Sequence, residues 1–131
     1  MGILNLFGFF KTSSAGYSSI SINTERRIKD EWAKISELIK AGSPSQLRQA
    51  LISADKTLDN ALRELVPGET MGERLKNAKP KFDKFTYGKV WDAHKIRNNL
   101  VHETGYEPPH YIIKEAISDL KDALYRLGMR L

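Results

Sequence analysis

The spacing of apolar residues is the feature that most constrains how this chain folds. Between residues 47 and 65 they recur at steps of three and four, the period of an α-helix with one buried face. These residues are Leu47, Ala50, Leu51, Ala54, Leu58, Ala61, Leu62 and Leu65. An apolar stripe of this length must pack against other helices. No convincing strand pattern is present, so the spacing predicts an all-α fold.

Capping signals mark where the first two helices begin and end. Thr24 is the predicted N-cap of a first helix, which Gly42 ends. Ser43 then caps a second helix, with Pro44 in its first turn and Gln46 completing a capping box. The two helices are therefore joined by a very short connection, which favours an antiparallel pair.

Similar signals divide the second half of the chain. Thr70 opens a third helix with Glu73 as its capping partner, and this helix is expected to stop before Pro80. A fourth helix is predicted from about Gly88 to the histidine at 102, and a last one starts at the second of two prolines, residue 109, and runs to residue 127. Short connections between amphipathic helices predict an up-down bundle of four or five helices.

The N-terminal residues differ in composition from the rest of the chain. Residues 1–10 are apolar and are followed by a Ser/Gly-rich stretch, so we expect residues 1–23 to form an apolar arm and linker before a helical domain of residues 24–131. Ten residues are too few to span a bilayer, which takes about 20. The uncharged start does not resemble a secretory signal, and the chain has no cysteine. We therefore expect a cytoplasmic protein whose residues 1–10 make a weak membrane or partner contact.

Positive charge is concentrated in one stretch of the chain. The chain has a net charge of +5, and residues 74–97 alone hold eight lysines and arginines against two aspartates. This concentration predicts an RNA-binding surface, formed by Lys76, Lys79, Lys81, Lys84 and Lys95. The alternative is a solvated lysine-rich face. Aromatic residues lie between these cations, and we expect them to close the core rather than stack on bases: Phe82, Phe85, Tyr87 and Trp91.

The segment 95–103 is the strongest candidate for a reaction centre. Arg97 is a permanent cation that can bind a phosphate through two parallel hydrogen bonds, and His102 can exchange a proton near neutral pH. On an ideal helix these two residues lie roughly 140° apart. We therefore expect the helix to end near His102 and its side chain to swing towards Arg97. In the alternative interpretation, His102 caps the helix and Arg97 forms a surface ion pair.

Two other groupings are weaker candidates. His94, Asn98 and His102 recur every four residues like a metal-binding face, but the central residue is an amide and no acid or cysteine joins them. We predict neither a metal nor a cofactor. Asp55 and Asp59 lie one turn apart on the second helix beside basic residues, a pattern typical of a solvated salt-bridge ladder.

The segment 97–102, Arg-Asn-Asn-Leu-Val-His, near the end of the penultimate helix of an all-helical domain resembles the HEPN superfamily (higher eukaryotes and prokaryotes nucleotide-binding). Its ribonuclease members carry an arginine, four to six residues and a histidine, often with a polar residue directly after the arginine, where this chain has Asn98. The resemblance implies a HEPN-like bundle that dimerises so that two motifs share a cleft. It also implies a metal-independent endoribonuclease, frequently a toxin or a phage-defence component, with an antitoxin partner.

One departure concerns regulation. HEPN toxins paired with a minimal nucleotidyltransferase often place a tyrosine two residues after the histidine, where this chain has Thr104. Regulation through that tyrosine is therefore not expected in this chain.

Three functions follow from these observations. In a dimeric HEPN-like ribonuclease, His102 takes the ribose 2′-OH proton, Arg97 stabilises charge on the attacked phosphate, and Asn98 orients the phosphate or His102. In a non-enzymatic interaction domain, the same residues fasten helix ends. A nucleotide-sensing or RNA-binding domain would use the basic surface without cleavage.

Overall fold

The computed structural model describes residues 19–131. Within that range it contains five α-helices, one short 3₁₀ turn and no strand. The helices are α1 (Ile22–Ala41), α2 (Pro44–Leu65), α3 (Met71–Asn77), α4 (Lys84–His102) and α5 (His110–Arg126), with the 3₁₀ turn (Lys79–Lys81) before α4. The predicted all-α bundle is confirmed. The proposed arm of residues 1–10 lies outside the described residues, as does most of the linker.

α1 and α2 form an antiparallel hairpin. Gly42 ends α1 in the left-handed region, with φ 74°, as the sequence predicted. Ser43 and Gln46 then cap each other's backbone N–H groups at the start of α2, which confirms the predicted capping box. At the other end of the hairpin, the backbone N–H of Ser21 donates to the carboxylate of Glu64 at 2.6 Å. These contacts hold both ends of the pair.

The predicted N-cap of the first helix is wrong by three residues. α1 begins at Ile22, and the hydroxyl of Ser21 caps it by accepting the backbone N–H of Thr24 at 3.2 Å. Thr24 is itself buried, and its hydroxyl donates to Glu64 of α2. Both residue types cap helices well. Local sequence signals therefore do not distinguish Ser21 from Thr24 as the cap. The residue that occupies the Thr24 hydroxyl is Glu64, which lies 40 residues further along the chain.

α2 is the central helix of the bundle. It packs against α1 and α5 and also contacts α3 and α4, while α5 packs in turn against α4. Every residue of its predicted apolar stripe is buried. At one end of the α4–α5 pair, Arg126 contacts Asp83 at 3.1 Å, which shows that these two helices are also antiparallel. None of the described helices has the length and hydropathy needed to cross a bilayer.

α4 starts one turn earlier than predicted. The carboxylate of Asp83 accepts the backbone N–H and the hydroxyl of Thr86, both at 2.8 Å, so that the helix begins at Lys84 rather than near Gly88. A glycine inside a helix costs about 1 kcal/mol relative to alanine, and this helix accommodates it. The predicted end of α4 at His102 is confirmed.

Two large apolar residues of α4 are exposed, although Phe85 was expected in the core. Phe85 is 73% exposed and Val101 is 46% exposed, whereas Phe82 and Trp91 pack against the core as predicted. Phe85 lies in the first turn of α4 and Val101 in its last turn, where neighbouring helices do not cover them. Both therefore present apolar surface to solvent.

Candidate functional site around Arg97

The site is built on a buried carboxylate in the middle of α2. Asp55 is 2% exposed, and its two oxygens lie 3.2 and 3.1 Å from Nδ1 of His94 on α4. The ring of Trp91 packs edge-on against the His94 imidazole, with 6.0 Å between the ring centroids. The imidazole is therefore held in a fixed orientation by contacts on two sides.

Asn98 continues the arrangement one helical turn further along α4. Its side-chain Nδ2 lies 3.4 Å from Nε2 of His94. An amide nitrogen is a donor, and with this orientation of Asn98 the tautomer of His94 that carries its proton on Nδ1 satisfies both contacts. The Oδ1 of Asn98 accepts a hydrogen bond from Nη1 of Arg97 at 3.0 Å. Four side chains are thus connected from the core to the surface.

Arg97 is the outermost member of this connected group. Its Nε lies 3.6 Å from the Asp55 carboxylate and is buried without a hydrogen bond in residues 19–131. About a third of the side chain is exposed. Its remaining nitrogen, Nη2, makes no hydrogen bond within the described part of the chain. The guanidinium is therefore held on one edge and has a donor left for an anion arriving from solvent.

His102 is not brought to Arg97 within one chain. It is the last residue of α4, is exposed, and makes no hydrogen bond or ion pair with any described residue. Because α4 stays helical to this point, the two side chains lie roughly 140° apart around the axis and about 7.5 Å apart along it. The expected swing of His102 towards Arg97 is not observed. Asn98 contacts His94 and Arg97 and does not orient His102.

The interpretation of Asp55 and Asp59 as a solvated salt-bridge ladder is wrong for Asp55 and only partly right for Asp59, which pairs with Arg63 at 3.5 Å but is largely buried. Asp55 is buried, and Asp59 accepts two hydrogen bonds, at 2.7 and 3.0 Å, from Arg74. Arg74 is 6% exposed and also donates to the backbone carbonyl of Gly68 at 2.8 Å, so it does not belong to the basic surface. The spacing of residues on α2 already indicates that Asp55 is buried. Asp55 follows Leu51 by four residues and therefore lies on the apolar face of α2.

The five lysines predicted to bind RNA are all exposed. Four of them extend from α3 to the first residue of α4, and Lys79 also lies 6.0 Å from the centre of the Tyr87 ring. Lys84 and Arg97 are separated by thirteen residues of one helix, which corresponds to about 20 Å. Only Lys95 is close to Arg97 in the chain. The basic surface and the candidate site are thus two regions along α4.

Residues 19–131 contain no group of three side chains placed to hold a metal ion. Comparison with known proteins found no matching family model, no similar curated protein and no similar solved structure.

Proposed function

We propose that this chain is an RNA-binding ribonuclease of HEPN type that needs no metal, with Arg97 as its phosphate-binding residue. The observation that supports this most directly is the fixed, partly exposed guanidinium of Arg97, held by Asp55 and Asn98 with Nη2 free of any hydrogen bond to residues 19–131. Donors that are oriented before the substrate arrives stabilise developing charge effectively, because they need not reorganise during the reaction.

The geometry of one chain argues for a site shared by two copies. Arg97 and His102 of the same α4 point in different directions, and His102 is exposed at the helix end. In the proposed homodimer, Arg97 of one protomer acts on a phosphate together with His102 of the partner subunit. This arrangement would supply a proton acceptor and a phosphate-binding cation without moving either side chain within its own chain.

The proposed reaction is an intramolecular displacement at phosphorus. His102 removes the proton of the ribose 2′-OH, and that oxygen forms a bond to phosphorus while the bond from phosphorus to the 5′-oxygen breaks. The leaving 5′-oxygen takes a proton from water. The products are a 2′,3′-cyclic phosphate and a 5′-hydroxyl. Arg97 stabilises the negative charge that builds on the phosphoryl oxygens, and Asn98 holds Arg97 in position.

A second candidate function is RNA or nucleotide binding without cleavage. The Asp55 carboxylate 3.6 Å from Arg97 offsets part of the arginine charge, and His102 has no orienting partner in the described residues. Both observations suit a binding or interaction domain as well as an enzyme. The distinction between the two functions therefore depends on whether RNA is cut.

The deciding experiment incubates single-stranded RNA with the full chain in EDTA. We expect cleavage that leaves 2′,3′-cyclic phosphate ends, and we expect His102→Ala and Arg97→Ala each to reduce the rate by at least about a hundredfold. His110→Ala is the matched control, because His110 is also exposed but lies at the start of α5. RNA that stays intact while still bound by the folded protein would replace the ribonuclease proposal with the binding function.

The resemblance to HEPN proteins also suggests a cellular role. We propose that the chain acts in the cytoplasm as a toxin or phage-defence component and is restrained by an antitoxin protein. Induced expression should then stop growth, and His102→Ala should relieve that effect. Equal toxicity of the two forms would contradict this role.

A further inference from the structure

A long apolar groove runs between α4 and α5, away from the candidate site. Its cavity volume is about 760 Å³. The apolar part of its lining consists of Phe85, Gly88, Ala93, Ile96, Ile112 and Ala116. Asp92 and Ile96 precede His94 and Asn98 by two residues, and residues two apart on a helix face nearly opposite directions. The groove is thus on the side of α4 opposite to His94 and Asn98.

The shape of the groove suits a helix. From Phe85 to Ile96 it extends along α4 for about 16 Å, or three helical turns. A Cβ atom added at Gly88 would meet nothing within 4 Å, so the groove is open where a side chain would otherwise fill it. Phe85 at one end is 73% exposed. An apolar groove of this kind typically receives the apolar stripe of an amphipathic helix.

The rim of the groove carries three carboxylates and two lysines, Lys84 and Lys89, and is therefore net acidic although the chain as a whole is basic. Asp92, Glu115 and Asp119 line it, and Lys89 lies 3.8 Å from both Glu115 and Asp119. Asp92 makes no ion pair with any of residues 19–131. Burial raises the pKa of the Asp119 carboxyl, while the Lys89 charge opposes that shift. A cation from another molecule would compensate these carboxylates.

The same charges argue against other occupants. RNA and anionic lipid surfaces carry negative charge, and the excess of carboxylates over lysines in the lining disfavours both. A second copy pairing groove to groove would bring two identical acidic rims together, which is also unfavourable. A separate helix with lysine or arginine beside its apolar stripe meets both the apolar floor and the acidic rim.

We propose that the α4–α5 groove is a docking site for an amphipathic, basic helix of a partner protein. Three turns of that helix place apolar side chains over Gly88 and Ala93, and its cations lie against Asp92, Glu115 and Asp119. The inference does not depend on the ribonuclease proposal, because it concerns a protein ligand and the side of α4 opposite to His94 and Asn98. Lys84 is the one residue that the groove shares with the proposed RNA-binding surface.

The test uses the full chain, labelled with ¹⁵N, and a synthetic helical peptide of about 14 residues with leucines at positions i, i+3, i+4 and i+7 flanked by lysines. We expect amide shifts confined to the groove residues of α4 and α5. An analogue with glutamate in place of lysine should bind at least about tenfold more weakly. Equal binding of the two peptides, or shifts around Ile22 on α1 instead, would overturn the proposal.

Gly88→Leu supplies the matched variant. The leucine side chain would enter the groove from a position with no atoms close to its Cβ, so the fold is expected to remain intact while peptide affinity falls at least about tenfold. Gly88→Ala adds one methyl group and should change affinity less than about threefold. Unchanged affinity in Gly88→Leu would exclude the groove as the docking site. A fall in the molecular mass of the peptide-free protein on Gly88→Leu would overturn the proposal by identifying a second copy as the occupant.

Discussion

The imidazole Nδ1 of His94 lies 3.1 Å from the carboxylate of Asp55, a residue 39 positions earlier in the chain. The same carboxylate lies 3.6 Å from Nε of Arg97. One buried acid on α2 therefore orients two side chains of α4, and Asn98 connects the two. The orientation of the guanidinium that we propose for phosphate binding is set from inside the bundle.

Asp55→Ala should destabilise the fold, because it leaves His94 Nδ1 without its buried partner and removes the carboxylate that lies 3.6 Å from Arg97 Nε. We expect a loss of about 2–3 kcal/mol in the free energy of unfolding, measured by urea denaturation. Asp30→Ala removes an exposed aspartate of α1 and should change the free energy by less than about 0.5 kcal/mol. Equal effects of the two substitutions would mean that the contacts of Asp55 contribute no net stability.

Replacing Lys76, Lys79 and Lys81 together by glutamine should weaken RNA binding and reduce its salt dependence. Each lysine that neutralises a phosphate releases a counterion, so three of them should lower the slope of log affinity against log salt by about two for single-stranded RNA. The same change at Lys29, Lys34 and Lys40 is the control, since these lysines pair with acids on α1. Identical slopes in both triple variants would place the RNA-binding surface elsewhere.

Light scattering at tens of micromolar should give about twice the chain mass of 14.9 kDa. If the ends of α4 meet in the dimer, Val101→Glu places a charge in an apolar contact and should produce monomers without unfolding the bundle. Ile22→Glu, at an exposed apolar residue of α1, should leave the mass unchanged. A monomeric parent chain would remove the structural basis of the shared site.

Glu64→Gln should lower stability at neutral pH and have little effect in acid. Two hydrogen bonds lower the pKa of this carboxyl from the ordinary value of 4.5. The larger effect comes from the backbone N–H of Ser21 and the next from the hydroxyl of Thr24. Ionised Glu64 therefore stabilises the folded state above pH 4.5, and this contribution is lost as pH falls through the lower folded-state pKa.

We expect Glu64→Gln to reduce the free energy of unfolding by about 1 kcal/mol at pH 7. The difference from the parent should shrink steadily as the pH is lowered below 4.5, as measured by denaturation across this range. Glu37→Gln tests an exposed glutamate whose only ion pair within residues 19–131 is with Lys40, and it should show no such trend. A difference that is constant with pH would show that charge is not the cause.

Local signals were sufficient to predict most of the helices. Gly42, the Ser43–Gln46 capping box and the Thr70 cap were all correct because each depends on residues within one turn. The start of α4 was missed because Gly88 was taken as the beginning of the helix, whereas Asp83 caps it. The choice of cap for α1 depended on Glu64 of another helix.

The candidate site was less predictable because its contacts are long-range. The sequence identified Arg97 and Asn98 but assigned Asp55 to a solvated face and gave His94 no role beside them. The pairing of α2 with α4 is what brings these residues together, and no spacing within either helix encodes it. Periodicity alone shows that Asp55 lies on the buried face, but it does not name the partner.

The central position of α2 has a consequence for how the site responds to heating. A helix that contacts all four others opens only when the whole bundle opens, so its amides near Asp55 should exchange hydrogen at the rate of global unfolding. The Arg97 guanidinium depends on that segment for its orientation. Loss of anion binding and loss of helical structure should therefore share one melting transition, with no temperature interval in which a folded bundle has a disassembled site.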